Sequence, residues 1–464
     1  MVYRSGMLRL HDTMTNTVRP LGLRDAGKVS IYACGPTVYD LPHIGHGRYV
    51  LVWDVVRRFL ISQGLEVTFV SNITDIDDHI IERAAEHGRT EQDVAQEFEA
   101  AWFSAMDLLS VLRPDATPHA TAFIPGMVAL LERLLATGVA YQTSDGVYLD
   151  VAMIADYGVL AGQPLDQLRA GARIEAHPEK RSPLDFALWK AAKPGEPTWE
   201  APFGAGRPGW HTECVVMSLD LLGEGFDLHV GGQDLKFPHH ENERAQAVGD
   251  GKVFATHWAH SGWVVVDGEK MSKSLKNFTS LTDLLVRCDA RAYRLLCLQS
   301  HYRAPVEVTP ETIAQAEAAL QRLDNLARRF RLTPLGPEPV VLADFAVDPE
   351  LLQTFVEAME NDLDTPRAFA SLALAVSAAN ASADAGDEAA GTALAQSVAV
   401  LLASLGISLR SGLGDIDDNA QSLARSRDEA RAAKDWAAAD RMRAELEALG
   451  YTVEDRNGET SLSR

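Results

Sequence analysis

The chain has 464 residues, 46% of them hydrophobic, and its 65 Asp and Glu residues outnumber its 43 Lys and Arg residues, so the formal net charge is -22. This composition is typical of a globular protein of several domains. It excludes disordered and collagen-like chains, and no apolar run approaches the ~20 residues that a membrane-spanning helix needs. The negative balance argues against a protein whose whole surface binds nucleic acid, but it leaves room for a local stripe of cations.

Four cysteines are present, Cys34, Cys214, Cys288 and Cys297. They are too few and too scattered for a disulfide framework in so long a chain, so we expect reduced thiols. The N-terminal residues show neither the apolar core nor the cleavage site of a signal peptide, and we therefore expect a cytoplasmic protein. Cys288 and Cys297 are predicted to pack in a leucine-rich helix over residues 287–299.

Residues 1–120 have the pattern of the first half of an α/β fold. An apolar strand over residues 29–34 precedes a turn rich in glycine and proline, and a helix follows it. The turn reads Thr37-Val-Tyr-Asp-Leu-Pro-His43-Ile-Gly-His46. Its glycines let a ligand approach the backbone, and the first helical turn offers N–H groups and a positive dipole end to a phosphate. His43 and His46 can add two donors near the same anion.

A second strand, over residues 66–72, leads directly into an acidic segment that ends at Asp78. Ligands gather at the carboxyl ends of parallel strands, so we expect Cys34 and Thr74 to face the same crevice. The acidic cluster of Asp75, Asp77 and Asp78 could bind magnesium. Helix capping and solvation are the alternative, and these residue types favour it.

Residues 121–205 change to a helical stretch, a short strand and loops with many glycines and prolines, which predicts a domain inserted between two halves of the sheet. The α/β pattern resumes over residues 206–265, with a helix that is opened by Phe237-Pro-His-His. His239 and Glu243 are four residues apart there, so their side chains are expected to leave one face of the helix.

Residues 266–309 contain the pentapeptide Lys270-Met-Ser-Lys-Ser274. Residues 310–410 are rich in alanine and leucine and poor in β-branched residues, which predicts a helical bundle, with a proline-rich linker at residues 331–347. A last module over residues 411–464 begins with a plausible flexible tether. Two helices and a short β segment are predicted to follow it.

The two segments His43-Ile-Gly-His46 and Lys270-Met-Ser-Lys-Ser274 together resemble the signatures of class I aminoacyl-tRNA synthetases. The resemblance implies an α/β fold: a class I Rossmann-type nucleotide-binding catalytic domain with an inserted connective domain, followed by a helical bundle and a small C-terminal anticodon-binding module. It implies that phosphate charge is stabilised by four catalytic residues, His43, His46, Lys270 and Lys273. The implied ATP-binding residues are Thr37, His43, Gly45, His46, Lys270, Ser272 and Lys273. Lys276 stands where this family usually has glycine, so it could stiffen the loop or contact a phosphate.

Cys34, Cys214, His239 and Glu243 offer the thiolate, imidazole and carboxylate donors that Zn²⁺ accepts. Their spacing alone favours buried thiols beside a polar helix face, because the chain has no Cys-x-x-Cys pair and Cys34 lies far from Cys214. The segments around them are more specific. Cys34-Gly-Pro-Thr-Val-Tyr-Asp, Gly-Trp-His-Thr-Glu-Cys214 and Gly-Gly-Gln-Asp-Leu-Lys-Phe-Pro-His-His-Glu-Asn-Glu243 resemble the cysteinyl-tRNA synthetase family.

This second resemblance runs from Leu8 to the C-terminus. It implies one zinc ion per subunit, held by Cys34, Cys214, His239 and Glu243 and completed by the sulfur of the substrate. It implies that the bound cysteine is surrounded by Thr74, Trp210, His229 and Asp234, and that the anticodon is read by Arg431, Trp436, Asp440 and Asp455. Trp436 could instead cap a small helical core, because an aromatic residue at helical spacing is commonly packed.

The implied reaction joins L-cysteine to its tRNA through a cysteinyl-adenylate, with Mg²⁺ accompanying ATP. The partners are thus L-cysteine, ATP and the tRNA for cysteine, with no membrane, and we expect a monomer. One alternative is a ligase that transfers cysteine to an amino sugar, but such relatives typically lack the final module. The other is a silent RNA-binding paralogue, but such proteins usually lose signature residues, and none is missing here.

Overall fold

The computed structural model describes residues 7–162, 178–266, 269–270, 279–411, 418–449, 451–456 and 459–463. In these ranges no helix combines the length and the apolar character needed to cross a membrane. The strands are β1 (Arg9–Asp12), β2 (Thr17–Pro20), β3 (Lys28–Ala33), β4 (Glu66–Ser71), β5 (Ala140–Thr143), β6 (Gly146–Leu149), β7 (Phe186–Ala191), β8 (Gly206–Pro208), β9 (Leu228–Gly232), β10 (Trp258–Ser261), β11 (Val264–Val266), β12 (Glu269–Lys270), β13 (Val306–Glu307), β14 (Thr452–Arg456) and β15 (Glu459–Ser463).

The α-helices in the same ranges are α1 (Ile44–Ser62), α2 (Asp78–His87), α3 (Glu91–Leu108), α4 (Ile124–Ala136), α5 (Trp210–Leu222), α6 (Glu241–Gly249), α7 (Leu281–Arg287), α8 (Ala290–Gln299), α9 (Pro310–Arg329), α10 (Pro349–Glu360), α11 (Thr365–Asp384), α12 (Glu388–Ala403), α13 (Asp418–Ala432) and α14 (Trp436–Ala448). A five-residue π-helical turn, Lys236–His240, precedes α6.

Four parallel strands form a sheet in the order β10-β9-β3-β4. Helix α1 connects β3 to β4 on one side, whereas β9 pairs with the other side of β3 after a long excursion of the chain. The direction of winding therefore reverses between β3 and β9, and an open α/β sheet binds its ligands outside the carboxyl ends of the strands at such a point. Cys34 follows β3 directly, and Gly232 ends β9, so both lie at this edge. The predicted Rossmann-type α/β class is confirmed.

Between β4 and β9 the chain builds a second sheet, which is antiparallel and has the order β5-β6-β7-β8. Val147, Leu149 and Trp189 of this sheet belong to one buried apolar cluster, which also contains residues of α4, α5 and the parallel sheet, among them Val215 of α5. This arrangement matches the predicted excursion between the two halves of the parallel sheet.

The first acidic segment connects the two sheets and does not form a carboxylate cage. Asp75 accepts hydrogen bonds from the backbone and hydroxyl of Thr121, and Asp77 caps the N-terminus of α2. Asp78 forms ion pairs with Lys190 of β7 and Arg207 of β8. The structure therefore supports helix capping for Asp77, whereas Asp78 is held by ion pairs and is not simply solvated.

The ion pairs of Asp78 make a pH-dependent contribution to stability. Burial raises the pKa of Asp78, but Lys190 and Arg207 outweigh it and lower the pKa to about 2. Such a carboxylate stabilises the fold above its unfolded pKa of about 4, and the contribution is lost as the pH falls through the folded pKa. Because Asp78 is partly exposed, we expect Asp78→Asn to lower the free energy of unfolding by only about 1 kcal/mol at pH 7.

Thermal unfolding of wild type and Asp78→Asn between pH 7 and pH 3 would measure this contribution. The difference between the two proteins should shrink as the pH falls below about 4. Asp220→Asn, which removes an exposed carboxylate of α5, is the matched control and should change little at any pH. A deficit in Asp78→Asn that is constant with pH would contradict the assignment.

Downstream of the sheet, the apolar core is continuous from α1 into the helical bundle. Trp53 and Phe59 of α1 belong to the same buried cluster as Tyr293 of α8, Phe355 of α10 and Leu401 of α12. The predicted bundle is confirmed in α9 to α12, whose alanine- and leucine-rich sequences favour helix. The prediction of one helix over residues 287–299 is wrong at its start, because the Asp289 side chain caps a new helix by accepting from the backbone N–H of Arg291.

The C-terminal residues form a small unit with its own core. Helices α13 and α14 pack against the antiparallel hairpin of β14 and β15. The core consists of Ala420, Ala424, Leu446, Tyr451, Val453 and Leu462. The predicted two helices and short β segment are confirmed.

Candidate active site and metal centre

A cavity of about 450 Å³ opens at the carboxyl edge of the parallel sheet, where the winding reverses. It is lined from three directions. Thr37 and His43 come from the turn before α1, and Gly45 and His46 come from the first turn of that helix. The ends of β3 and β9 contribute Cys34 and Gly232, and the stretch from the end of β10 to the start of β11 contributes Ser261 to Val264. Its volume lies in the range of small-molecule and nucleotide sites.

Two stacked imidazoles lie at the cavity where α1 begins, one on its N-cap residue and one in its first turn. His43 is the N-cap of α1, and its Nδ1 accepts a hydrogen bond from the backbone N–H of His46 at 3.2 Å. In return, the Nδ1 of His46 accepts from the backbone N–H of His43 at 3.3 Å. Because Nδ1 accepts in both neutral rings, the proton resides on Nε2. The rings lie 3.6 Å apart, so two Nε2–H donors are held side by side at the positive end of a helix.

Cys34 is fixed where β3 meets this turn. The hydroxyl of Tyr49 donates to the carbonyl of Cys34 at 2.7 Å, and the backbone N–H of Gly35 donates to the side chain of Asn72 at 2.8 Å. A Cβ atom at Gly35 would lie 1.6 Å from the carbonyl oxygen of Asn72, so only glycine fits there. This close approach sets the direction in which the thiol of Cys34 leaves the strand.

Four buried side chains converge beside Cys34. The ligand atoms of Cys34, Cys214, His239 and Glu243 all lie within 4.8 Å of one another. The two sulfur atoms are 3.8 Å apart, and Oε1 of Glu243 is 3.4 Å from the sulfur of Cys34 and 2.7 Å from Nε2 of His239. The set joins β3, α5, the π-helical turn and α6, which are distant in sequence.

The charges in this cluster favour a cation. Hydrogen bonding from the Cys34 thiol lowers the pKa of Cys214 to about 6 against the opposing effect of burial. Burial lowers the pKa of His239, but the Glu243 carboxylate and Cys214 raise it to about 10. Burial raises the pKa of Glu243, but His239 and His229 hold it well below its usual range. A place that stabilises a buried positive charge between a thiolate and a carboxylate suits a thiophilic divalent cation, and this donor set fits Zn²⁺.

Two of the residues that are predicted to surround the bound cysteine line the cavity. The indole of Trp210 stacks on the imidazole of His239 with centroids 4.0 Å apart, and Asp234 lies at the turn after β9. Both are solvent-accessible, which leaves them open to a substrate.

The other two lie beneath the cavity surface. Thr74 is buried, and its hydroxyl donates to the Glu213 carboxylate at 2.8 Å. His229 is fully buried, with Nδ1 3.1 Å from the carbonyl oxygen of Tyr32 and Nε2 2.5 Å from Oε2 of Glu243. The structure therefore places Thr74 and His229 against acidic residues of the site.

His229 and His240 form a second possible ligand set with Cys34 and Glu243, whose ligand atoms also lie within 4.8 Å of one another. This set shares two members with the first but contains one thiol in place of two. A soft divalent cation prefers thiolate ligands, so the set with Cys214 fits zinc better.

Comparisons with known proteins agree with this geometry. The profile of a family described as tRNA synthetases class I (C) catalytic domain matches residues 21–318, the DALR domain matches residues 354–410, and the cysteinyl-tRNA ligase anticodon binding domain matches residues 413–461. A cysteine–tRNA ligase of Chromobacterium violaceum is 43% identical over 98% of this chain and 99% of that protein. The chain belongs to the cysteine–tRNA ligase family.

Further relatives of this family extend over nearly the whole chain. A cysteine–tRNA ligase of Burkholderia multivorans is 44% identical over 97% of this chain and 98% of that protein. Among solved structures, a Mycobacterium tuberculosis methionyl-tRNA synthetase in complex with methionyl-adenylate superposes with a TM-score of 0.59 and 16% identity, covering 82% of this chain and 89% of that chain. The latter likeness concerns the fold. The sequence-based identification as a class I aminoacyl-tRNA synthetase, a cysteine–tRNA ligase, is thus confirmed.

The second signature of this family falls mostly outside the described residues. Ser272, Lys273 and Lys276 lie outside them, and only the backbone of Lys270 is described, in β12. The described chain resumes at Thr279, whose carbonyl accepts from the N–H of Ile44 at 3.2 Å, and the N–H of Leu281 donates to the carbonyl of Pro42 at 2.9 Å. The chain that follows the signature is therefore joined, at Thr279 and Leu281, to the turn that carries His43.

In the domain matched as anticodon-binding, the predicted residues differ in their surroundings. Trp436 begins α14 with 61% of its surface exposed, which does not fit the alternative that it caps a core. Asp440 is also exposed. Asp455 on β14 is 2.9 Å from Arg431 and also pairs with Arg427, which lowers the pKa of Asp455.

Several residues of the site were not found by sequence reasoning. Tyr49 and Trp102 line the cavity beside the signature histidines, with the Trp102 ring 5.4 Å from that of His46. Glu213 is buried next to Cys214, and burial raises its pKa well above its usual range. The Nδ1 atom of His211 is 2.9 Å from Nδ1 of His239. Aromatic and acidic residues inside helices give no local signal of such roles, because their periodicity is that of ordinary packing.

Proposed function

We propose that this chain charges the tRNA for cysteine in two steps, by way of a cysteinyl-adenylate, and that a zinc ion on Cys34, Cys214, His239 and Glu243 selects the thiol of the substrate. The observation that carries the proposal is the single cavity in which Cys34 and the stacked histidines lie together. A substrate with its sulfur at Cys34 and its carboxylate towards His43 would connect a metal centre with a phosphate site.

Recognition of sulfur solves a specific problem for such an enzyme. Serine differs from cysteine by one atom, and an apolar pocket separates such near-isosteres by only ~1–3 kcal/mol. Zn²⁺ bound to the four ligands would accept a thiolate far more readily than a neutral hydroxyl. The protein's own part is to hold two thiols, an imidazole and a carboxylate within reach of one another before the substrate arrives.

In the first step, an oxygen of the cysteine carboxylate attacks the α-phosphorus of ATP, the bond to the bridging oxygen breaks, and pyrophosphate leaves. Negative charge moves onto the phosphate oxygens. The Nε2–H groups of His43 and His46, the N-terminus of α1 and the cations of Lys270 and Lys273 stabilise this charge by position alone. The junction of Thr279 with the signature turn supports the assignment of the lysines. Mg²⁺ accompanies ATP and needs no all-protein cage.

The remaining ATP-binding residues of the proposal are Thr37, Gly45 and Ser272. For the amino acid, we assign direct contacts to Trp210 and Asp234, because both line the cavity. We also assign Thr74 and His229 to the amino-acid site. Both lie beneath the cavity surface, and their contacts with Glu213 and Glu243 support a role that is exerted partly through those carboxylates.

In the second step, a ribose hydroxyl at the end of tRNA attacks the mixed anhydride and releases AMP. We propose that Arg431, Trp436, Asp440 and Asp455 contact the anticodon, with Trp436 stacking on a base.

The proposed domains are residues 1–120 and 206–265 for the two catalytic halves, 121–205 for the insertion, 266–309 for the loop region, 310–410 for the bundle and 411–464 for the tRNA-binding module. A monomer remains our expectation, which sedimentation would test.

Exchange of radioactive pyrophosphate into ATP tests the first step directly. We expect exchange that depends on cysteine, is at least ~100-fold less efficient with serine, and is lost with the metal after chelation. Serine used as well as cysteine by zinc-loaded protein would refute the proposed selection. Absence of any exchange in folded, zinc-loaded protein would refute adenylate formation.

The acceptor needs a separate measurement. Radioactive cysteine should appear in the tRNA for cysteine and not in an amino sugar that is supplied at millimolar concentration. Formation of a cysteinyl amino sugar without tRNA would favour the competing ligase.

A further inference from the structure

Helix α1 contains a buried arginine that the proposed mechanism does not use. Arg48 lies two residues after His46, and only 1% of its surface is exposed. Its guanidinium donates hydrogen bonds to the carbonyl oxygens of Trp263 and Ala304. Two longer bonds, each 3.3 Å, reach the carbonyls of His301 and Tyr302.

The partners of Arg48 are unusual for a buried cation. Elsewhere in α1, Arg57 pairs with Asp115 and Arg58 pairs with Asp54. Within the described ranges, no carboxylate pairs with Arg48, and its charge is met by backbone carbonyls. Removing a cation from water without an opposite charge is unfavourable, so an apolar side chain would serve packing better. The retained guanidinium therefore indicates a task that packing alone does not explain.

One of the carbonyls that Arg48 binds, that of Trp263, belongs to a segment that lines the cavity. Gly262, Trp263 and Val264 line the cavity opposite the stacked histidines. The backbone N–H of Gly262 donates to the carbonyl of Tyr302 at 2.8 Å, and that of Val306 donates to the carbonyl of Trp263 at 2.9 Å. Arg48 thus joins α1 to two neighbouring segments at once, the one that contains Trp263 and the one over residues 301–304.

The same segment leads into the second signature. Strand β11 begins at Val264 and pairs with β12 so that Val265 lies opposite Lys270. The position of Trp263 therefore bears on where β12, which contains Lys270, lies. After the signature, the carbonyl of Thr279 accepts a hydrogen bond from the backbone N–H of Ile44, the first residue of α1.

We propose that Arg48 is a positioning residue that holds the Trp263 segment, and with it β11 and the backbone of Lys270 in β12, in place relative to His43 and His46. The planar fork of arginine can bind two carbonyls in a fixed relative position, and the single ammonium of lysine cannot. This inference rests on the proposed use of the cavity for ATP. Arg48 itself does not line the cavity, and it would act on the nucleotide through the backbone of Trp263.

Arg48→Lys should separate the two substrates of the first step. We expect the KM for ATP in pyrophosphate exchange to rise about tenfold or more and kcat to fall, because displacement of a positioning element by about 1 Å is costly. The KM for cysteine and the bound zinc should stay within about twofold of wild type. Arg48 makes none of the hydrogen bonds that hold Cys34, and Trp210 and Asp234 lie on other elements. Arg57→Lys is the matched control, since Arg57 is buried in the same helix and does not line the cavity.

A second variant approaches the same junction from the other side. A Cβ at Gly262 would lie 2.5 Å from the carbonyl oxygen of Arg303 and 2.6 Å from that of Ala304. Gly262→Ala should therefore reproduce the selective rise in the KM for ATP, even if Arg48→Lys fails to fold. Thermal unfolding and zinc content are to be measured on all variants.

The outcomes are distinguishable. If wild-type protein shows no exchange, the proposed function fails before Arg48 is tested. If wild type is active and Arg48→Lys and Gly262→Ala keep the wild-type KM for ATP, the positioning role is refuted. Equal changes in the KM for ATP and for cysteine would also refute it, since they would indicate general damage to the fold.

Discussion

Cys214→Ser is expected to abolish metal retention and cysteine activation together. The thiol of Cys214 has a pKa lowered to about 6, so it is the more readily deprotonated of the two thiol ligands, and a serine hydroxyl does not replace it. We expect the zinc content after dialysis to fall well below one per chain. The efficiency of cysteine-dependent pyrophosphate exchange should fall by at least about 100-fold, because even residues that only orient metal ligands commonly cost 10- to 100-fold.

A matched control for Cys214→Ser exists within the chain. Cys297 of α8 is also buried, but burial raises its pKa to about 11, and it does not line the cavity. Cys297→Ser should keep zinc and exchange activity, with at most a loss of stability. If Cys214→Ser retained one zinc and a normal KM for cysteine, the ligand assignment would be wrong. If Cys297→Ser lost both, the measurement would be reporting damage to the fold.

Removal of the C-terminal module is expected to separate the two steps of the reaction. A truncated protein that ends at Ser411 should keep pyrophosphate exchange within about twofold of the full-length protein. The active site and the bundle share a core that does not include the module. Charging of tRNA should fall by roughly 100-fold or more, since one lost base-stacking contact alone is worth about 1–3 kcal/mol.

The position of the cut matters. Leu405, Ile407 and Leu409 are buried in the core of the bundle, and Arg291 donates to the carbonyl of Ser408. A cut after Leu405 would therefore remove part of the bundle, whereas a cut after Ser411 preserves these contacts. If the protein that ends at Ser411 lost both exchange and charging, the module would be needed for folding.

Trp436→Ala in the full-length chain narrows the same test to one side chain. We expect charging to decrease by about 5- to 100-fold with exchange unchanged, from the loss of one stacking contact. Leu374→Ala is the matched control, because Leu374 is an exposed apolar residue of the bundle, outside the module. Equal charging by the two variants would remove Trp436 from the anticodon contacts.

Local patterns predicted the parts of this protein that depend on neighbouring residues. The parallel strands, the signature helix and the alanine-rich bundle follow from hydrophobic periodicity and helix propensity, which act over a few residues. The spacing of His239 and Glu243 predicted that they would meet, and they do so at 2.7 Å, although His239 lies in a π-helical turn before the helix. The helix break at Asp289 was missed, because a side-chain cap competes with a continuous apolar pattern.

The sequence by itself therefore determined the fold class and the family, through short signatures and their order along the chain. Only the tertiary structure decided several contacts between distant groups: Thr74 with Glu213, His229 with Glu243, and Arg48 with the carbonyl of Trp263. The physical reason is that these contacts arise where strand ends and helix starts are brought to one edge of a sheet, after separations of up to 215 residues. A backbone carbonyl also has no residue identity, so a side chain that binds one leaves no motif in the sequence.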